Sequence, residues 1–455
     1  MSGARGRRGG SPLLLFIYFL QYYTCINIRE SITTTQNIME QLKQMSKQTD
    51  AMGGTAGRSG GYDKSLYRFN DLVFEQVRNS SLIAARHLER FNSQSLNYNS
   101  DSSSCDWVFQ TGEQMLDGSN SCIQFELTVS ATTGTSYGFG TGSVMNLFKT
   151  CILHSRAGDE LDRISSANVY RANRDLHEDK TWFETTGSLM GYQSDSDATP
   201  HPVGTPVFFQ VPLDRVLNVF GTGRLIPSQM VSGARLQMDI EKAAKRLFKF
   251  NAISTAVSFT LSNVRMVCCL SRPTDDTART LEKQAASNSL EFSWEGVYTQ
   301  KRGVTGEINE QVSKSVARAL RVRVCPLKDP SDNSELFITP HAVPYSDAQI
   351  RAGSLYMPQY RLTDGEIYHA SLQAVDKLGK SVRFSKIQAD AKGDVWVTSL
   401  ESHNLINFSG QSLNNSRQLY VETQISPAIA SGEGFIFLDY LKTARNYLNS
   451  ISVDQ

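Results

Sequence analysis

The sequence predicts an all-β protein built as two tandem β-sandwiches of jelly-roll type, joined by a short helical linker and preceded by a helical, flexible N-terminal arm. Three observations predict it. Short segments of strict apolar–polar alternation, the signature of a strand with one buried face, recur along the chain. That pattern stops once, near 273–289, and then starts afresh. No segment alternates as strand–helix–strand, which argues against a parallel α/β sheet. Long excursions between strands favour a jelly roll over a propeller, although periodicity alone does not separate jelly-roll from immunoglobulin-like connectivity.

Residues 1–60 read as a hydrophobic leader and a Gly-rich segment. Arg5, Arg7 and Arg8 precede the apolar stretch Pro12–Cys25, the form of a signal peptide and too short to span a bilayer comfortably. No small-x-small cleavage site follows it, and Met39, Met45 and Met52 each begin a plausible shorter chain. Gly53–Gly61 has linker composition, and its G-x-S-x-G match lacks the strand and helix that a hydrolase serine needs. Residues 61–103 read as a helical arm, from Leu66, Phe69, Val73 and Val77 at helical spacing within 63–90, followed by a polar connector over 92–104.

The first sandwich is placed at 104–272. Ile123, Phe125, Leu127 and Val129 alternate with polar residues, as do Leu236, Met238 and Ile240. Val257, Phe259 and Leu261 do the same, slip at Ser262-Asn263, and resume in Val264, Met266 and Cys268, which predicts a bulge. Segments 148–154 and 160–164 flank the turn sequence Arg156-Ala157-Gly158-Asp159, predicting a hairpin. Pro206–Val211 supplies a further apolar run. The linker, 273–289, reads as a short helix capped at Thr274 or Asp275. The second sandwich, 290–455, opens with Phe292 and Trp294 in alternation. Leu320, Val322 and Val324 alternate with Arg321 and Arg323, and Leu419–Ile425 repeats the pattern. Phe435-Ile436-Phe437-Leu438 is wholly apolar, and one helix interrupts over 365–377.

Composition excludes several classes of function. With 46 basic and 45 acidic residues the chain carries a net charge of +1, which disfavours an electrostatically driven nucleic-acid binder. Seven cysteines in 455 residues are too few for a disulfide framework. No CxxC or HExxH occurs and no histidines share a helix face at i, i+4, so metal and cofactor sites are not expected. Cys268 and Cys269 must point to opposite faces of one strand. Gly379-Lys380-Ser381 lacks the first glycine and the preceding strand of a phosphate loop, and Gly138–Gly142 reads as a mobile surface loop. The acidic pairs Asp159/Glu160 and Asp195/Asp197 are most simply solvated loop charges. Lys242, Lys245, Arg246 and Lys249 read first as a solvated helix face and second as a contact for phosphates. No nucleophile, base and orienter can be assembled, so the chain is not read as an enzyme and no catalytic residue is assigned.

Longer stretches carry more than periodicity. Phe208–Ile240 runs from an apolar strand through a short Leu/Val helix and a Leu-Ile-Pro corner into an alternating strand. Asn146–Tyr170 passes through the hairpin, and Ala352–Gln359 precedes the helix of the second block. In this order and spacing, over roughly 104–455, the chain resembles the double jelly-roll major capsid proteins of eukaryotic DNA viruses, in particular the polinton-like virus and virophage group. The resemblance implies a virion protein whose homotrimers form pseudo-hexagonal capsomers in an icosahedral shell. It also implies contacts with neighbouring capsomers and penton-type vertex proteins, and weak nonspecific contact with packaged DNA. The residues expected to carry the role are packing residues: Phe208, Phe209, Trp294 and Phe435–Leu438. A secreted, lectin-like tandem sandwich is the alternative, with sequons at Asn79, Asn407 and Asn414.

Overall fold

The structure, a computed structural model, describes residues 82–454 apart from 194–197, 244–245, 253, 255, 288–290, 329–344, 383–395, 401–409, 414–417, 426–430 and 448–449. The leader, the Gly-rich segment, the sequons and the Asp195/Asp197 pair lie outside the described residues.

In the first half the strands are β1 (Ile83–Asn92), β2 (Tyr98–Asn99), β3 (Ser104–Val108), β4 (Met115–Ala131), β5 (Ser136–Gly138), β6 (Phe148–His154), β7 (Glu160–Ser165), β8 (His201–Pro202), β9 (Val207–Pro212), β10 (Leu225–Ile226), β11 (Arg235–Ile240), β12 (Lys249–Phe250) and β13 (Val257–Pro273). They form a sheet ordered β1-β13-β4-β10, with β2 on β13 and β9 on β4, a second sheet β3-β11-β6-β7, and a small third one, β12-β5-β8. The second half contributes β14 (Glu291–Gly303), β15 (Glu307–Val312), β16 (Ala319–Lys328), β17 (Tyr345–Ala352), β18 (Leu355–Thr363), β19 (Trp396–Ser399), β20 (Leu419–Ile425), β21 (Gly432–Tyr447) and β22 (Ser450–Asp454). Here one sheet runs β14-β21-β16-β19 with β22 on β21, and the other β15-β20-β17-β18. Among the described residues every strand pairing is antiparallel and none joins strands of different halves. Three helices matter: α1 (Ala167–Asp175), α2 (Asp275–Ala286) between the halves, and α3 (Asp364–Ala374).

The alternating segments behave as their chemistry dictates. Ile123, Phe125, Leu127 and Val129 on β4 are at most 1% exposed, and Leu236, Met238 and Ile240 on β11 line the same core. On β13 the register with β4 shifts between Ser262 and Arg265, and Asn263 adopts a left-handed φ of 54°. The bulge moves the inward parity from odd to even numbers, so Val264, Met266 and Cys268 stay on the face used by Phe259 and Leu261. The β6–β7 turn is held by Ser155, whose hydroxyl accepts from the Ala157 and Asp159 amides at 3.1 Å, while Gly158 takes φ 96°. At the start of α3 the Thr363 amide and hydroxyl both donate to Glu366, at 2.9 and 3.0 Å, closing a capping box.

Three expectations are corrected. Residues 83–92, inside the expected helical arm of 61–103, form β1, paired with β13 from Ile83↔Pro273 to Asn92↔Arg265. Hydrogen bonding to the edge of the long β13 decides 83–92, while the helically spaced Leu66, Phe69, Val73 and Val77 lie outside the described residues. The 138–142 loop is buried, not mobile surface: Phe139 packs on Tyr137, Phe209 and Phe248. Its glycines serve close approach, since a Cβ at Gly138 would meet the Ala198 carbonyl oxygen at 2.4 Å and one at Gly142 the Asn146 side chain at 2.2 Å. Finally, the Lys242–Lys249 cluster is not one solvated face: Arg246 is largely buried and ion-paired and Lys249 begins β12, while Lys245 lies outside the described residues.

Candidate functional site

The sheet β14-β21-β16-β19 is buried on both faces, and this creates the most distinctive region of the molecule. Along β21, Ile436, Leu438 and Tyr440 enter the core of the second sandwich with Val322, Val324 and Trp396. Phe435 and Phe437 point the other way, into a core continuous with that of the first sandwich, together with Cys325, Leu327 and Trp294. That is why Phe435–Leu438 reads as an unbroken apolar run: neither face meets water. Phe435 and Phe437 stack with rings 6.1 Å apart, and Tyr170 of α1 meets Phe437 edge-on at 5.3 Å. Burial of each such ring contributes roughly 1.5–3 kcal/mol.

Around this apolar seam lies a buried ionic network. Asp439, fully buried on β21, accepts from Arg323 Nε at 2.9 Å and from Tyr170 of α1 at 3.2 Å, with Arg321 Nε at 3.5 Å. Arg321 also pairs with Glu295 on β14 at 2.5 Å. Burial opposes ionisation of Glu295, but Arg321, Arg174 and Arg323 outweigh it and hold its carboxyl well below the usual range. Asn218 Oδ1 accepts from Arg171 at 2.9 Å and Arg174 at 2.6 Å, tying α1 to the turn at 218–221. Lys442 reaches Asp162 on β7 at 3.2 Å, and Thr299 donates to the Ser165 carbonyl at 2.8 Å. Arg246 bonds Glu433 at 2.5 Å and lies 3.6 Å from Glu241. Arg246, a member of the 242–249 basic cluster, thus pins the two sandwiches together.

A second tie follows α1. Leu176 packs with Ala374 and Val397, Glu178 and Asp179 pair with Lys377 at 3.4 and 3.3 Å, and the Lys180 amide donates to the Ser381 carbonyl at 3.2 Å. Arg215 braces the segment through Asp175 and Glu178, both at 2.9 Å, and stacks over Trp182 at 4.4 Å. Within this zone Arg171 Nε and Nη1 are buried without a hydrogen-bond partner, and the buried ring of His177 faces the backbone of Asn173. Burial, reinforced by Arg323, lowers the His177 imidazole to about 3.

Of the expected packing residues, Phe209, Trp294 and Phe435–Leu438 are buried, whereas Phe208 is 51% exposed. The reason is the pleat: Phe208 and Phe209 are neighbours on β9, so only one faces the core. Both Cys268 and Cys269 are buried on opposite faces, Cys268 in the core and Cys269 accepting from Arg86 Nε at 2.9 Å. The six described cysteines are all free thiols. Glu160 pairs with Arg163, and Asp159 closes the hairpin turn. Gly379 and Ser381 belong to the turn after α3. The seam charges were not singled out from the sequence. The signal for them is Asp439 standing directly after four apolar residues, with the alternating arginines of β16 as its partners.

The outer surface has apolar features too. Among the edge strands, β1 and β18 show exposed residues on both faces, including Leu88 at 67% and Tyr360 at 61%. Between β18, α3 and β19 lies a groove of about 1000 Å³ lined by Tyr356, Tyr360, His369, Gln373 and Gln411. Among the described residues no group of three His, Cys, Asp or Glu side chains could hold a metal, and no helix is long and apolar enough to cross a membrane.

No protein-family model matches the sequence, and no curated protein matches it in sequence. Solved structures are similar in fold. PBCV-1 VP54, fitted into a reconstruction of the virophage Sputnik, matches with TM-score 0.55 at 10% identity, over 84% of this chain and 99% of that one. The Sputnik virophage structure determined by cryo-EM matches with TM-score 0.56 at 9% identity, over 88% and 92%. The Faustovirus major capsid protein matches with TM-score 0.54 at 9% identity, over 86% and 95%. The likeness covers both sandwiches in tandem, so the chain has the double jelly-roll fold.

Proposed function

We propose that the chain is a major capsid protein, the structural brick of an icosahedral DNA-virus shell, acting in the virion by assembly and not by catalysis. One observation carries the reading: nearly the full length of PBCV-1 VP54, 99%, is matched by this chain as two consecutive jelly rolls. The seam supports it, because a brick must keep its two halves in fixed relation, and a continuous core with buried ion pairs does so. Three chains, each with two similar sandwiches, would give six roughly equivalent sides, suited to hexagonal packing through heterologous contacts. The exposed apolar residues Leu88, Phe208, Leu355 and Tyr360 are candidates for contacts with neighbouring subunits, capsomers and vertex proteins. Contact with packaged DNA would be weak and nonspecific, in keeping with the net charge of +1.

Electron microscopy and mass measurement of the purified full-length protein test this. Trimers of about three times 50.6 kDa, or hexagonal capsomers and shells, are expected. Discrete monomers at high protein concentration would overturn the reading.

A further inference from the structure

We infer that residues 176–182 form an acid-released latch between the two sandwiches, opened by protonation of His177. The device does not rest on the capsid reading, because it lies within one chain. Its closed state is held by few contacts: Leu176 against Ala374 and Val397, Lys377 against Glu178 and Asp179, the Asp179–Val382 bridge, and the Lys180 amide to the Ser381 carbonyl. His177 sits inside it, 3% exposed, its ring facing the Asn173 backbone and without a side-chain hydrogen-bond partner.

The charges facing the imidazole decide what a proton does there. β16 brings Arg323, the turn after α3 brings Lys377, and Glu178 follows in the chain. Arg174 and Asp175 occupy the preceding turn of α1. The carboxylates are already committed: Glu178 to Arg215 and Lys377, Asp179 to Lys377, and Asp175 to Arg215 and Tyr192. An imidazolium would add a cation beside Arg323 and Lys377, with the Asn173 backbone carbonyl facing it but no uncommitted carboxylate, in a dry setting where a poorly paired charge is expensive. Opening the latch releases the ring to water.

The sign follows from linkage. The closed latch refuses a proton until pH falls to about 3, whereas an opened, solvated histidine takes one near 6.5. Acid therefore favours the open form, by up to roughly tenfold per pH unit below 6.5 and about thirtyfold between pH 7.5 and 5. Glu178 stays charged through that window: burial opposes its ionisation, but Arg215 and Lys377 hold its carboxyl below the ordinary value.

Amide hydrogen exchange of the full chain between pH 7.5 and 5, corrected for intrinsic exchange rates, reads the opening directly. Peptides covering 176–183 should lose protection about thirtyfold while β21 peptides keep theirs. In His177→Gln the acid response should vanish. An unchanged latch, an equal response in His177→Gln, or parallel loss of protection in β21 would overturn the inference. Should that variant fail to fold, Lys377→Met decides instead: it removes an anchor but keeps the histidine, so opening should rise at pH 7.5 with the acid dependence retained. A flat response in Lys377→Met would count against the latch.

Discussion

Asp439 shows what a single carboxylate does when it is placed among arginines away from water. Its two oxygens take bonds from Arg323 and Tyr170 and lie near Arg321. Removing it leaves the buried Arg323 guanidinium without its carboxylate, while Arg321, its neighbour on the same face of β16, keeps Glu295. Asp439→Ala should therefore lose about 3–5 kcal/mol of stability, whereas replacing Arg323 and Asp439 together by apolar residues of similar volume should cost far less. Urea denaturation of the two variants checks both statements, and a mild single-variant loss would show that water reaches the site. The sequence offered little warning, because Arg321 and Arg323 alternate with valines as an ordinary solvated face would. Only the burial of both faces of the sheet, a tertiary fact, turns that pattern into a network.

At the level of strands and loops, most of the fold was legible. Alternation located β4, β11, β13 and β20 because one face of each meets a core and the other does not. The slip at Ser262-Asn263 announced its bulge because parity must change to keep the same face inward. What escaped was context. The strand β1 carries no alternation of its own burial, with exposed residues on both faces, and exists because β13 offers it a partner. Phe208 and Phe209 look alike in sequence but differ by one position on a pleat. Phe437→Ala should cost about 3–5 kcal/mol, while Phe208→Ala should leave stability within about 0.5 kcal/mol of the parent protein. Thermal and chemical unfolding of the pair measure the contrast. Loss of stability at Phe208 would mean that β9 is not placed as described.

For the whole molecule, a core that runs from the first sandwich onto the outer face of β14-β21-β16-β19 makes the halves interdependent. Equilibrium unfolding of the full chain should show one transition for both, followed through Trp107 in the first sandwich and Trp396 in the second. The 291–455 fragment expressed alone would expose Phe435, Phe437 and Trp294 and should aggregate. Two separate transitions, or a soluble monomeric fragment, would show that the seam contributes little. A lamina gripped from both sides also leaves no slack for flexing midway along the polypeptide. In any lattice built from this chain, differences of tilt from place to place must therefore be absorbed at the joints among molecules, while each molecule keeps its own shape.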